Sequence, residues 1–326
     1  MRTLKLLVVA LLATISLNAQ EAVKLNVWKG GTKTEFALSS VDSLTFSTYI
    51  ASEDVLTGVF SVSATKQVRF SKGNLQYTQS TQTWSFAAHQ YDIIGTDNIE
   101  GGTEQKDTVV GFYYKEGANL SDKIDLFGWS GSTSSTKWGV GTSKDNTDYA
   151  GDLVDWGKNI GDGKTWYTLT SDEWSYLFGT RADADKLVGL ARINLNADGT
   201  EYANGIILLP DAWTCPAGVT FKSGGFSETN NGKAYADNQT FTLSDWQKLE
   251  SAGAIFLPAS GYRRRQKKTE LSNVSYVQSS GYYWSATPDA EDSESAYCLT
   301  FDSTAELAWS LDRFVGRAVR LVQDVK

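Results

Sequence analysis

Histidine and cysteine, two residue types frequent in catalytic sites, are scarce in this 326-residue chain, which contains one His and two Cys. His89, the one histidine, lies in the segment FAAHQYD, where it could act as a general base. A base needs a nucleophile and an orienting group beside it, and no segment of the chain offers all three together. One histidine also cannot supply the ligands of a facial iron site. The sequence therefore predicts no catalytic residues, and we interpret His89 as structural or exposed.

Acidic residues are concentrated in the segment PDAEDSES, and such a segment could bind calcium. Asp289, Glu291, Asp292 and Glu294 carry the oxygen ligands that calcium prefers, although a solvated acidic loop has the same composition. The run Asn194–Glu201 follows the spacing N-x-N-x-D-G-x-E but lacks the glutamate that closes a calcium loop, so it predicts a hairpin turn. We expect no cofactor, with calcium at the acidic segment as the alternative.

One basic cluster follows Gly261-Tyr262 and contains Arg263, Arg264, Arg265, Lys267 and Lys268. Guanidinium forks bind sulfate and carboxylate, so this cluster could contact an anion or a sulfated glycan; a solvated loop is the other interpretation. Arg320 alternates with Val319 and Leu321, and a charge in such a strand is expected to have a buried partner.

The N-terminus is typical of a secretory signal peptide. Arg2 and Lys5 precede an apolar run that is too short for the ~20 residues of a membrane-spanning helix, and Leu17-Asn18-Ala19 offers a cleavage site. We expect residues 1–19 to be removed and the mature chain to be exported without membrane insertion, to the periplasm, the cell surface or the medium. In an oxidising compartment Cys215 and Cys298 could form one disulfide; two buried thiols are the alternative.

Composition limits the class of protein. The net charge of −8 repels nucleic acid and anionic membranes, so we expect neither as a partner. The 29 glycines and 26 tryptophans and tyrosines (11 Trp plus 15 Tyr) favour short strands, turns and aromatic packing over a helical bundle.

The local sequence pattern divides the chain after the signal peptide into three segments. Residues 20–50 predict a small β-hairpin module closed at Gly30-Gly31, residues 51–57 a linker, and residues 58–326 a larger domain. Within that domain, alternating runs from Val59 to Phe86 predict an antiparallel meander, and residues 96–163 predict long loops held by aromatic side chains. Capping boxes predict two helices, one starting at Thr170 and one at Ser244 with Gly253 as its stop.

The C-terminal stretch Gly281–Val322 reads as short strands separated by polar, acidic segments. Tyr297, Leu299 and Phe301 alternate with Ala296, Cys298 and Thr300, as expected for a strand with one buried face. The whole pattern predicts an α+β fold.

Six motifs in order resemble a known fold: WYTLTSDEWSYLF, NGIILLPDAW, AGAIFLPASGYR, GYYWSAT, AYCLTF and GRAVRLV. They are similar to the C-type-lectin-like fold of exported Bacteroidota proteins, which are relatives of the formylglycine-generating sulfatase-modifying family, the Fibrobacter succinogenes major paralogous domain and the variable proteins of diversity-generating retroelements. The resemblance spans roughly Gly58 to Val322, and it implies short twisted strands, two flanking helices and a ligand-binding face of long loops.

The resemblance implies no activity. Copper-dependent formylglycine-generating enzymes use a close pair of cysteines, whereas Cys215 and Cys298 are far apart in the chain. In the retroelement proteins the C-terminal region carries the binding residues, which implies a ligand face here formed by Trp284, Asp289, Glu294, Glu306, Trp309, Asp312, Arg313 and Arg317. We therefore expect an exported, non-enzymatic binding or adhesion module for a glycan or a protein. A structural or assembly component of the cell envelope is the alternative, and a degenerate sulfatase-modifying-type enzyme comes third.

Overall fold

The computed structural model describes residues 24–29, 32–37, 54–109, 111–161, 165–225, 234–265, 271–302 and 305–325, without the side chains of 24–29, 32, 34, 36, 37, 234 and 305–308. The chain divides into two compact units, Met1–Ile50 and Ala51–Lys326. The expected signal peptide, Lys267 and Lys268 lie outside the described residues.

The first unit contains a β-hairpin. Strand β1 (Lys24–Lys29) pairs antiparallel with β2 (Thr32–Ala37), and the register places Lys29 opposite Thr32. This confirms the predicted hairpin.

The second unit is built mainly of short strands. In chain order they are β3 (Phe60–Ser61), β4 (Gln67–Phe70), β5 (Leu75–Thr78), β6 (Thr83–Phe86), β7 (Gln105–Lys106), β8 (Tyr113–Gly117), β9 (Lys123–Ile124), β10 (Tyr167–Thr168), β11 (Val188–Asn194), β12 (Tyr202–Leu208), β13 (Thr240–Thr242), β14 (Ile255–Pro258), β15 (Tyr262–Arg265), β16 (Ser272–Val277), β17 (Gly281–Pro288), β18 (Ser295–Phe301), β19 (Ala305–Asp312) and β20 (Leu321–Asp324).

These strands form several small sheets rather than one large one. Their orders are β10-β20-β4-β3, β13-β11-β12-β14, β15-β16-β8-β7, β17-β18-β19 and β6-β5-β9. Pairing is antiparallel except between β11 and β13. The protein is therefore mixed α+β with a predominance of strands.

The predicted meander between Val59 and Phe86 is wrong. Strand β4 pairs with β3 and with the distant β20, whereas β5 pairs with β6 and β9 in another sheet. Local alternation identifies each strand, but it carries no information about a partner some 250 residues away. The hairpin predicted for Asn194–Glu201 is confirmed, because β11 and β12 pair on either side of it.

Helices are few and short: α1 (Ser171–Ser175), α2 (Ala234–Asn238) and α3 (Leu243–Ser251). The capping box at Thr170 is confirmed, with Thr170 accepting from the Glu173 amide and Glu173 accepting from the Thr170 amide. A π-helical turn, Tyr176–Thr180, continues α1.

The predicted start of the second helix is wrong by two residues. Thr242, the last residue of β13, is the N-cap of α3, and its hydroxyl accepts from the Asp245 amide. Ser244 lies inside the first turn instead. Gly253 follows the end of α3 with a φ of +97°, which confirms it as the stop.

Aromatic side chains hold the long loops between β9 and β10, which confirms the prediction for this part of residues 96–163. The prediction is wrong for the part before it, where β7, β8 and β9 lie. Phe127, Trp129, Tyr149 and Trp156 are fully buried, and the Trp129 ring lies edge-on against Trp156 and Trp284. Turns of 3₁₀ helix lie at Gly95–Asn98, Lys137–Gly139, Asn146–Tyr149, Trp156–Asn159 and Ala184–Lys186. None of the described helices is long and apolar enough to span a bilayer.

Candidate functional site

A polar cleft of about 330 Å³ opens between the β17–β18 connection and the loop that begins at Asn146. It brings together three of the residues expected at the ligand face, Asp289, Glu294 and Arg313. Its other lining residues are Asn146, Thr147, Ala150, Gly151, Asp152, Pro288 and Ser293.

Carboxylates shape one wall of this cleft by folding the β17–β18 turn. Asp289 accepts hydrogen bonds from the amides of Glu291 at 2.9 Å and Asp292 at 3.3 Å. Asp292 in turn accepts from the Glu294 amide at 3.0 Å. The nearby Ser310 side chain, then these amides and Arg313, lower the pKa of Asp289 below its ordinary value. Asp289 is therefore charged at neutral pH.

The opposite wall is the turn Asn146–Tyr149 with the residues after it. The Asp145 carboxylate accepts from the Thr147 amide at 3.0 Å and so caps the turn. The Asn146 side chain donates to Asp312 at 3.2 Å and accepts from the Phe314 amide at 3.1 Å. These two bonds fasten the wall to the chain just after β19.

Arg313 joins the two walls at the base of the cleft. Its Nε donates to the Ser295 carbonyl and its Nη1 to the Gly151 carbonyl, each at 3.0 Å. The guanidinium also lies over the Trp129 ring, 5.6 Å from the centroid. Burial lowers the pKa of Arg313, and the acidic residues around it oppose that shift. Because its Nε and Nη1 both donate to backbone carbonyls, Arg313 supports the cleft as well as lining it.

The charge of the cleft is negative, because Asp152, Asp289 and Glu294 outnumber Arg313. Such a surface suits ligand groups that donate hydrogen bonds or carry positive charge. Across the part of the chain that the structure describes, no three His, Cys, Asp or Glu side chains are grouped so as to hold a metal ion. In the acidic segment, Asp289 and Asp292 instead accept from backbone amides of their own turn.

Trp284 and Arg317 were expected at the ligand face, but both are buried beneath it. The Trp284 indole donates to the Phe127 carbonyl at 2.7 Å, and the Arg317 guanidinium lies 4.1 Å from the centroid of the Trp284 ring. Arg317 also donates to the Asp312 carbonyl at 3.2 Å. Neither side chain reaches the surface, so we assign both to the support of the loops above them.

The other expected residues lie outside the cleft lining. Trp309 is 52% exposed on β19, the edge strand of its sheet. Glu306 lies in β19 opposite Thr300 of β18, and its side chain lies outside the described residues. Asp312 is half-buried. One of its carboxylate oxygens accepts a hydrogen bond from the Asn146 side-chain amide, and the other lies 3.5 Å from Nη2 of Arg264.

His89 is exposed and held by neighbours in sequence. Its ring Nδ1 lies 3.1 Å from an Asp92 carboxylate oxygen, and its face stacks on Tyr91 with 5.0 Å between the ring centroids. Cys215 is an exposed free thiol and Cys298 a buried one, so the two do not form the disulfide that was considered.

The three arginines of the basic cluster lie in strand β15, where the sequence allowed a solvated loop. Along β15, Arg263 is buried, Arg264 exposed and Arg265 half-buried. Arg320 is buried as predicted, but its partners are neutral: it donates to Gln90 at 2.8 Å and to Asn74 at 3.4 Å.

Comparison with known proteins adds one finding. Residues 220–322 match the model of a family described as a domain of unknown function (DUF8237). The match covers less than half of the chain; it includes the β17–β18 wall and Arg313 but not the Asn146 wall. No curated protein and no solved structure matches the chain.

Sequence reasoning missed the Asn146 wall entirely. For the aspartates and threonines of this wall, the sequence pattern predicts only that they belong to a loop held by aromatic side chains. The Asp-x-Thr pattern at Asp145–Thr147 is a usable local signal for a capped turn, but it does not indicate which distant segment the turn faces.

Proposed function

We propose that the protein is an exported, non-enzymatic binding or adhesion module of C-type-lectin-like fold, which recognises a glycan or a protein through the cleft described above. The observation that carries this proposal is the convergence of two separate loops on one polar cleft with Arg313 at its base. Sites of this kind place a few polar groups on a rigid support, and the buried Trp129 and Trp284 provide that support.

The order of the six sequence motifs supports the finer fold assignment, and the small antiparallel sheets with short helices are compatible with it. The signal-like N-terminus supports export. Most residues that line the cleft carry hydrogen-bonding or charged side chains, which favours a polar ligand such as a glycan or a charged protein segment.

The first experiment is a glycan array with the mature protein from Gln20 onward, in calcium and again in EDTA. A selective signal that persists in EDTA would support recognition by protein groups alone, whereas an EDTA-sensitive signal would restore the calcium alternative at Asp289 to Glu294. A blank array would contradict a glycan ligand and direct the search to a protein partner.

The cleft is tested by the double variant Asp289→Asn and Glu294→Gln. Asparagine at position 289 keeps a side-chain oxygen that can accept from the amides of the turn. The double variant therefore measures the effect of removing the two charges and not of changing the shape of the loop. Charged hydrogen bonds contribute about 1.5–3 kcal/mol each, so we expect affinity for the strongest array glycan to fall by tenfold or more. The matched control is Asp183→Asn with Asp185→Asn, two exposed carboxylates outside the cleft lining. Equal affinity in both double variants would contradict the assignment of the cleft.

A further inference from the structure

Five arginines have side chains that are almost completely buried: Arg181, Arg263, Arg313, Arg317 and Arg320. In four of them the guanidinium donates to carbonyl, amide or carboxylate oxygens. Arg263 is the exception. It is 0% exposed, and none of its three guanidinium nitrogens has a hydrogen-bond acceptor among the described residues.

The backbone around Arg263 explains where its side chain lies. Arg263 and Gly316 exchange two backbone hydrogen bonds, of 2.9 and 2.7 Å. The guanidinium folds over Gly316, where a Cβ would come within 2.9 Å of Nη2. Glycine at position 316 therefore allows a bulky cation to occupy this place.

No carboxylate of the described residues compensates this charge. Burial lowers the pKa of Arg263, and the one described group that opposes the shift is the neutral Tyr149 phenol. An unpaired buried ion costs several kcal/mol, and a buried polar group without a partner in a native protein commonly marks the place of a water or an ion.

Arg265 lies two residues along β15, on the same side of the strand as Arg263. It is half-buried, and its Nη1 donates to the carbonyl and the hydroxyl of Thr142, each at 3.1 Å. Arg265 therefore places a second positive charge on the same side of β15 as the unpartnered guanidinium.

We propose that Arg263 and Arg265 form a binding site for one oxyanion, a sulfate or carboxylate group, which Arg263 would hold with its guanidinium fork. Guanidinium groups bind such anions through two parallel hydrogen bonds. Since Arg263 has no exposed surface, an anion on its guanidinium would be shielded from solvent. This site is separate from the cleft.

The first test measures the melting temperature in millimolar sodium sulfate against sodium chloride at equal ionic strength. An anion that binds the folded protein stabilises it by mass action, so a tenfold excess over Kd should raise the melting temperature by about 3–5 °C. Absence of any rise in the unmodified protein would overturn the proposal.

Arg263→Met removes the fork while keeping an unbranched side chain, and Arg264→Met is the matched control on the exposed side of the same strand. We expect Arg263→Met to lose the sulfate effect and to melt no lower than the unmodified protein in chloride, because it removes an unpaired buried charge. We expect Arg264→Met, and the Asp289/Glu294 double variant, to keep the effect. An equal sulfate effect in Arg263→Met would mean a general salt effect and would refute the site.

A crystal soaked in selenate gives a readout that does not depend on the folding of a variant. Anomalous density on the Arg263 guanidinium would support the site, whereas water alone at that position would overturn it. Titration with a sulfated oligosaccharide beside its unsulfated counterpart then identifies the source of the anion: tighter binding than inorganic sulfate indicates a glycan, and equal binding a free ion.

Discussion

Asp125 is a fully buried carboxylate whose surroundings make its protonation depend on folding. It accepts from the Ile94 amide at 2.8 Å and from the Asn98 side chain at 2.7 Å, and it thereby fixes the 3₁₀ turn Gly95–Asn98. Burial raises the pKa of Asp125 to about 6, although both hydrogen bonds oppose the rise.

This raised pKa predicts a pH-dependent contribution to stability. The contribution of Asp125 is fully present below the unfolded pKa, 3.8, and is lost as the pH rises through about 6. From pH 7 to pH 4, the unfolding free energy of the unmodified protein should therefore increase relative to that of Asp125→Asn by about 2 kcal/mol. Urea titrations at several pH values measure it. A difference that does not change with pH would contradict the assignment.

Residue types alone could not reveal these environments. The alternation around Arg320 predicts its burial, yet Gln90 and Asn74, which bind it, lie 230 and 246 residues away. For Trp284 and Arg313 the sequence identified the right region, but it could not distinguish a side chain that contacts a ligand from one that supports the loop which does.

The β16 strand contains an uncommon backbone conformation at Tyr276. This residue has a φ of +62° at the irregularity where the β16–β8 register shifts between Val274 and Val277. Its ring is 37% exposed and stacks on Phe112, with centroids 4.4 Å apart, and on Tyr262 at 5.6 Å. Ring stacking on two neighbours compensates a left-handed backbone that costs about 1–2 kcal/mol for a residue with a Cβ.

Substitutions at Tyr276 should therefore rank in an unusual order. Both Tyr276→Gly and Tyr276→Ala lose the stacking, but only glycine relieves the backbone, so the glycine variant should be the more stable by about 1 kcal/mol. At Asn273, which lacks a positive φ in the same strand, the order should reverse by about 0.5–1 kcal/mol. Thermal unfolding of the four variants tests this. If the alanine variant is more stable than the glycine variant at both positions, the backbone at Tyr276 is not strained.

Elements with local signals were predictable, and their partners were not. The Thr170 capping box, the hairpin around Asn194–Glu201 and the stop at Gly253 each depend on a few adjacent residues. The start of α3 was misplaced because Thr242 and Ser244 both satisfy the pattern of a cap, and only the end of β13 decides between them. In the cleft, Asn146 reaches Asp312 and Phe314 across 166 and 168 residues, which no local pattern encodes.

At the scale of the whole second unit, the last strand lies inside a sheet rather than at its edge. Strand β20 pairs with β10 on one side and β4 on the other, and its Leu321 and Val322 are fully buried. Residues from the beginning, middle and end of the unit therefore share one sheet.

Truncation tests how much this arrangement contributes. Removing residues 321–326 deletes two buried side chains, of about 1.5–3 kcal/mol each, and leaves β4 and β10 without their common partner. Against a typical total of about 5–15 kcal/mol, we expect the cooperative thermal transition and the near-ultraviolet circular dichroism to be lost. Removing only residues 325–326 should retain both, because it gives up one backbone bond, from Val325 to Gln67. Cooperative melting of the longer truncation would contradict a central role for β20.

The position of β20 also determines when the protein can form. A ribosome completes β4 long before it makes the strand that β4 must pair with. The sheet that joins them can close only after β20 has been synthesised, and its assembly is expected to be slow because the contact spans most of the unit. A chain that stops early would keep β4 unpaired on that side, which gives proteases and chaperones a direct means of recognising it as unfinished.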